Sequence, residues 1–234
     1  AIEAIDKLLE QSKKIVFLSN APRPADSVRK FLKNLKMEEK FLENIVTSGE
    51  AAMYAINEQK FGKYFYHLGP ARDDSIFKKV KENKTDIKKS DFILCTGLFD
   101  EHEEDLNFYK ELLKNHISKK LICTNPDLIV HRGQKEELCA GSVAKVFENL
   151  GGDVVYFGKP YKEIYKMCFD KKEKVLAIGD NLRTDIKGAN NLNIDSLLVL
   201  NGVHRKEIEE TTELKDILQK YNVTINFHQF ELSW

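Results

Sequence analysis

Short runs of β-branched and aromatic residues alternate along this chain with stretches of helical periodicity, and that alternation constrains the fold more than any other feature. Extended runs occupy residues 14–19, 45–47, 63–68, 92–96, 120–124, 154–157, 175–178 and 196–200. Helical patterns fill the intervals at 24–36, 49–58, 75–82, 104–115, 142–149, 160–169, 183–192 and about 205–220. Parallel strands cannot be joined by tight hairpins and need helical crossovers, so the pattern predicts an α/β fold with parallel sheets covered by helices on both faces. Runs such as Val175-Leu176-Ala177-Ile178 are apolar throughout and are expected to be buried on two sides. Helix 24–36 is expected to turn Val28, Phe31, Leu32 and Leu35 inward, and Ser48 to cap helix 49–58.

With 234 residues there is chain enough for one large domain or two modest ones. Hydrophobic residues at 42% exclude a disordered chain, and 37 basic residues balance 37 acidic ones. Partners that require a basic surplus, nucleic acid and anionic membranes, are therefore not expected. Cys95, Cys123, Cys139 and Cys168 lack metal-ligand spacing and sit beside apolar runs, so buried free thiols in a reducing, cytoplasmic setting are expected. No apolar stretch reaches the roughly 20 residues of a membrane span.

The chain opens already in helical period, with Ile2, Ile5, Leu8 and Leu9 on one face and no capping residue ahead of them. The expectation is a helix entered partway, with further residues preceding Ala1.

In an open parallel sheet, ligands bind beyond the carboxyl ends of the strands. Three segments there carry chemistry. Ser19-Asn20-Ala21-Pro22-Arg23 follows the first extended run, and its hydroxyl and amide can hold phosphoryl oxygens with help from backbone N–H groups. A polar strand-to-helix turn would explain the same residues. Gly158-Lys159-Pro160 offers close backbone approach, an ammonium, and a proline suited to the first position of a helix. A surface lysine at a helix start is the plain alternative. Gly179-Asp180-Asn181-Leu182-Arg183-Thr184-Asp185 presents two carboxylates, hard oxygen ligands suited to a hydrated magnesium ion shared with a phosphate. Helix capping by Asp180 and a dipole-favoured Asp185 would also account for them.

In this order the three segments resemble the second, third and fourth motifs of the haloacid dehalogenase superfamily. The long insertion between the first two resembles the class IIA cap of NagD-like and pyridoxal-phosphate phosphatases, with Cys123-Thr124-Asn125-Pro126-Asp127 and Ala140-Gly141-Ser142 similar to that cap's Thr-Asn-x-Asp and Gly-containing segments. The resemblance implies a Rossmann-like core at residues 1–68 and 158–234 and an α/β cap at 69–157. It also implies magnesium-dependent hydrolysis of a small phosphorylated metabolite through an aspartyl phosphate. Asp180 and Asp185 would serve the metal, Lys159 would offset charge at the phosphate, and Ser19 and Asn20 would bind phosphoryl oxygens. Arg23, Asn125, Asp127, His131 and Arg132 are candidates for reading the substrate. Caps of this class often contribute to dimer contacts in the family, which makes a homodimer possible.

The family begins with Asp-x-Asp on a central first strand, and no such strand is present among these residues. Loss of a central strand would leave buried N–H and C=O groups unpaired at roughly 1–3 kcal/mol each. Several of these exceed a typical stability of roughly 5–15 kcal/mol. The expectation is therefore a nucleophile upstream of Ala1, with residues 1–234 inactive by themselves. The alternative is a non-catalytic phosphometabolite-binding or regulatory protein. The whole reading requires the loops at Ser19, Lys159 and Asp180 to gather around one point.

Overall fold

The computed structural model describes residues 1–132, 135–170, 172–211 and 213–234. The side chains of His131 and Arg132, two of the candidate substrate readers, lie outside the described residues. Along the chain run α1 (Ile2–Glu10), β1 (Phe17–Ser19), α2 (Ala25–Asn34), β2 (Ile45–Thr47), α3 (Ser48–Asn57) and β3 (Phe65–Leu68). After an irregular 3-10 segment, Ala71–Asn83, come β4 (Phe92–Cys95), α4 (Leu106–Leu113), β5 (Lys120–Cys123), β6 (Ile129–Arg132), β7 (Lys135–Leu138), α5 (Ala140–Asn149) and β8 (Asp153–Tyr156). The chain continues through α6 (Lys162–Tyr165), β9 (Leu176–Gly179), a π-helical turn Leu182–Ile186, α7 (Lys187–Leu192) and β10 (Asp195–Val199). It closes with α8 (Arg205–Glu210), α9 (Leu214–Tyr221) and β11 (Phe227–Gln229).

Compactness divides the chain into two units, residues 1–17 with 159–234, and residues 18–158. The core and cap expected from sequence concern which residues share a role. Packing alone groups 18–68 with 69–157.

In the larger unit, β3, β4, β5 and β8 form a parallel sheet in the order β3-β4-β5-β8, and β6 and β7 form an antiparallel pair. Every residue of β4 is buried, as its unbroken apolar run predicts. Leu68, Ile93, Cys95, Tyr109, Leu121 and Phe147 belong to one cluster beneath α4 and α5, all fully buried. In the same unit β1 pairs with β2. Thr47 rather than Ser48 caps α3, accepting the Glu50 N–H at 3.1 Å. The Ser48 hydroxyl is occupied with the Ala21 and Thr124 carbonyls. Helix α2 departs from expectation, because Phe31 and Leu35 are 56% and 64% exposed. A helix laid over a sheet of only two strands has little surface to cover its full apolar stripe.

In the other unit β10 lies between β9 and β11, all parallel. Leu182, Ile186, Leu198, Ile217 and Val223 build its core. The prediction that 175–178 is buried on two sides fails. β9 is an edge strand, with Leu176 45% and Ile178 37% exposed on one face. An apolar run encodes a preference for burial; whether burial follows depends on neighbours the run does not name. Helix 160–169 contracts to α6, so Pro160 precedes the helix instead of opening it. Helix 183–192 begins as a π-helical turn because the Asn181 carbonyl accepts both the Asp185 and Ile186 N–H groups, at 2.9 and 3.2 Å.

Candidate functional site

The local fold around Asp180 follows from two glycines. β9 ends at Gly179, where a Cβ would come within 2.3 Å of the Asp185 carboxyl carbon. Its absence lets Asp185 fold back over the strand end, so that Oδ2 accepts the Asp180 and Asn181 N–H groups at 3.2 and 3.1 Å. The other oxygen, Oδ1, lies 2.7 Å from Lys159 Nζ, with the two side chains 17% and 12% exposed. Gly202 does the same for Asp180, since a Cβ there would meet Asp180 Oδ2 at 2.2 Å. The neighbouring Val203 N–H donates to that oxygen at 2.9 Å. The spacing of the two aspartates thus has a structural cause: a wide turn capped by Asn181, whose Oδ1 accepts the Arg183 N–H at 2.9 Å.

Lys159, Asp180 and Asp185 are therefore brought together within one unit. Ser19, Asn20, Arg23, Asn125 and Asp127 lie in the other, where Asn20 and Asp127 meet while Arg23 turns to Asp73. There, the Ser19 hydroxyl accepts the Ala21 N–H at 3.2 Å and the Asn125 Oδ1 accepts the Asp127 N–H at 3.0 Å. Both are turns in which a side chain at a strand end takes an N–H two residues on. As an acceptor in its turn, the Ser19 hydroxyl keeps its own hydrogen to donate. Asn20, 6% exposed, donates from Nδ2 to Asp127 Oδ1 at 3.1 Å. Gly158 adopts φ +120°, and a Cβ there would meet Asn20 Oδ1 and Pro126 Cδ at 2.7 Å, so close approach at this position requires glycine.

Arg23 turns its Nε to within 3.5 Å of the buried Asp73 carboxylate. Burial raises the Asp73 carboxyl, and the Arg23 and Arg72 guanidiniums oppose that rise. Beside it His67, 4% exposed, shares a 2.9 Å hydrogen bond with the Thr96 hydroxyl, and burial drives its pKa down to about 4. The four cysteines are free and buried. Burial raises the Cys95 and Cys168 thiols to about 12 and 11, which leaves them poor nucleophiles.

A hard divalent cation suits the chemistry of this donor set only in part. Asp185 already accepts from Lys159 and two N–H groups, which uses most of a carboxylate's acceptor positions. Asp180 accepts from Val203 through Oδ2. Among the described residues no group of three His, Cys, Asp or Glu could hold a metal ion. The residues fit at most an ion that keeps much of its water, which Asp180 and Asp185 would hold between them. The sequence reading missed the Gly202-Val203 turn behind Asp180, because a backbone N–H carries no side-chain signature. The alternation of a strand ending at residue 200 with a glycine two residues on was the signal available.

Comparison with known proteins places these residues in context. Residues 1–82 match the family described as haloacid dehalogenase-like hydrolase, and residues 156–222 match a HAD-hydrolase-like family. The chain is 33% identical over 88 residues to the ribonucleotide monophosphatase NagD of Escherichia coli, covering 36% of this chain and 34% of NagD. It is 25% identical over 244 residues to the chloroplastic phosphoglycolate phosphatase 1A of Arabidopsis thaliana, covering 91% of this chain and 66% of that protein. The chain thus spans about a third of the one relative and just under two thirds of the other. A haloacid dehalogenase-like hydrolase from Brucella suis superposes with a TM-score of 0.86 at 28% identity, over 100% of this chain and 88% of that one.

Proposed function

We propose that this chain, which belongs to the class IIA haloacid dehalogenase superfamily, is a phosphatase acting on a small phosphorylated metabolite. The observation that carries the reading is the Lys159–Asp185–Asp180 arrangement, in which an ammonium and two carboxylates are fixed at one strand end by Gly179 and Gly202.

In this reading Ser19 donates its hydroxyl hydrogen, and Asn20 its amide, to phosphoryl oxygens. Lys159, oriented by Asp185, offsets negative charge between the phosphate and an attacking carboxylate. Asp180 and Asp185 would hold a magnesium ion. When bound, that ion supplies charge neutralisation at the phosphoryl oxygens. Arg23, Asn125 and Asp127 face the leaving group, and residues 69–157 act as a lid that excludes bulk water. The attacking carboxylate is proposed to lie on a strand carrying Asp-x-Asp that pairs with the open edge of β9. The exposed apolar residues of β9 support that placement. The carboxylate attacks phosphorus while the second aspartate of that motif gives its proton to the departing alcohol, and the same aspartate then takes a proton from the water that cleaves the aspartyl phosphate to inorganic phosphate.

The test is hydrolysis of para-nitrophenyl phosphate in the presence of magnesium. Residues 1–234 alone should give no turnover. A form in which an Asp-x-Asp strand precedes α1 should turn over. Lys159→Ala or Asp180→Asn in that form should lower the rate by about 10²-fold or more with the fold retained. Full activity in both variants, or none in the extended form, overturns the proposal. Phosphate binding without any turnover would favour a non-catalytic binding protein instead.

A further inference from the structure

His204 is nearly inaccessible, at 3% exposure, and the chemistry above does not use it. It stands where the two chain segments that hold Asp180 come together. One is the turn after β9, where the Asn181 side chain caps the π-helical turn that returns Asp185. The other is the turn after β10, where the Val203 N–H holds Asp180 Oδ2 at 2.9 Å. His204 follows Val203 directly, and its Nε2 lies 3.4 Å from Asn181 Oδ1.

The other side of the ring makes the shorter contact, and a neutral imidazole, with one N–H, donates on one side only. Nδ1 lies 3.1 Å from Glu207 Oε2, and the ring meets Tyr221 edge-on at 4.8 Å. Glu207 is itself anchored, because it accepts the Tyr221 hydroxyl at 2.7 Å and the Lys220 ammonium. Burial alone would raise the Glu207 carboxyl; hydrogen bonds from Lys220, Tyr221 and His204 outweigh it and hold the group at about 2. Arg183, two residues beyond Asn181, donates to the Tyr221 hydroxyl at 2.9 Å and lies over its ring. α8 and α9 thus grip the imidazole from one side, and the imidazole contacts the Asp180 loop on the other.

We propose that His204 is a positioning residue that locks the Asn181 and Val203 turns together and so fixes the direction in which Asp180 presents its carboxylate. The proposal rests on the reading of Asp180 as the magnesium-facing residue. Partners of this kind, one step behind a ligand, alter metal affinity by about 10–100-fold when removed.

The experiment compares the full chain with its His204→Ala and His204→Gln variants, since glutamine keeps a polar side chain that can reach both Asn181 and Glu207. Magnesium is titrated while the amide NMR signals of Asp180 and Asn181 are followed, and hydrogen exchange of the Val203 amide is measured without magnesium. In His204→Ala the titration midpoint should rise about ten-fold or more and Val203 should lose exchange protection. His204→Gln should recover most of both. If alanine lowers only the urea midpoint, with the magnesium titration and Val203 protection unchanged, the role is structural and the proposal is overturned. It is equally overturned if glutamine behaves like alanine. Should the parent chain itself ignore magnesium, the reading of Asp180 fails, and Val203 protection still decides the role of His204.

Discussion

The sheets of the two units use the same kind of sequence and end in different states. In the four-stranded sheet, β4 has neighbours on both edges, and all four of its residues are buried. In the three-stranded sheet, β9 is built from Leu176, Ala177, Ile178 and Gly179, which is no less apolar, yet Leu176 and Ile178 stand open. β9 is also the strand that delivers Asp180. The difference teaches that an apolar run reports what a strand would prefer to touch. Where the preference goes unmet beside chemically equipped residues, the unmet face is itself a clue to what the working protein brings there.

The largest effect on stability should come from the closed sheet. Phe147 is fully buried in the cluster formed with Tyr109, Leu121 and Ile93. Phe147→Ala removes most of a ring from a site with little room to collapse and should cost about 3–5 kcal/mol in urea unfolding. A loss below about 1 kcal/mol would mean that this sheet is no better covered than β9 and would erase the contrast.

The same unit should carry a pH signature through His67. Its folded pKa is near 4, below the ordinary value of 6.5, because burial disfavours the charged ring and Lys84 adds to that. The unfolded chain therefore binds the proton more readily than the folded one. Stability from this group is complete above about pH 6.5 and declines as pH falls toward 4, by about 3 kcal/mol in all. Urea midpoints at pH 7 and pH 4.5 measure the decline, and His67→Gln should abolish most of it, so that parent and variant curves diverge as pH falls. A parent curve that stays parallel to the variant's across this range would show that His67 is not sealed from water.

Much of this contrast was legible in the sequence, and part of it was not. β4 and β5 declared themselves because long apolar runs and true coverage coincide there. The Gly179-to-Asp185 segment was legible because a glycine, two carboxylates and a preceding strand are all side-chain facts. The hairpin of β6 and β7 was missed, since Lys135-Glu136-Glu137-Leu138 has no strand-like composition and owes its form to pairing with Ile129–Arg132. β11 falls outside the extended runs expected from sequence for a similar reason: Phe227-His228-Gln229 becomes a strand only against Leu197, Leu198 and Val199. The π-helical turn was hidden because its cause is one carbonyl accepting two N–H groups, which no residue type announces.

The smallest effect should come from the open strand, and it tests the comparison most sharply. Ile178 is 37% exposed on an edge strand, so Ile178→Thr keeps the β-branched shape while replacing a methyl-bearing arm with a hydroxyl that water can reach. Removing so little buried apolar surface should change stability by less than about 0.5 kcal/mol. Exposed apolar edges also invite pairing between chains, so the variant should self-associate less than the parent in sedimentation at matched concentration. A cost of several kcal/mol would mean that something covers Ile178 in solution. If that cost rose with protein concentration in the parent, the cover would be a second copy of this chain, and the open face of β9 would be an interface instead of a place for another strand.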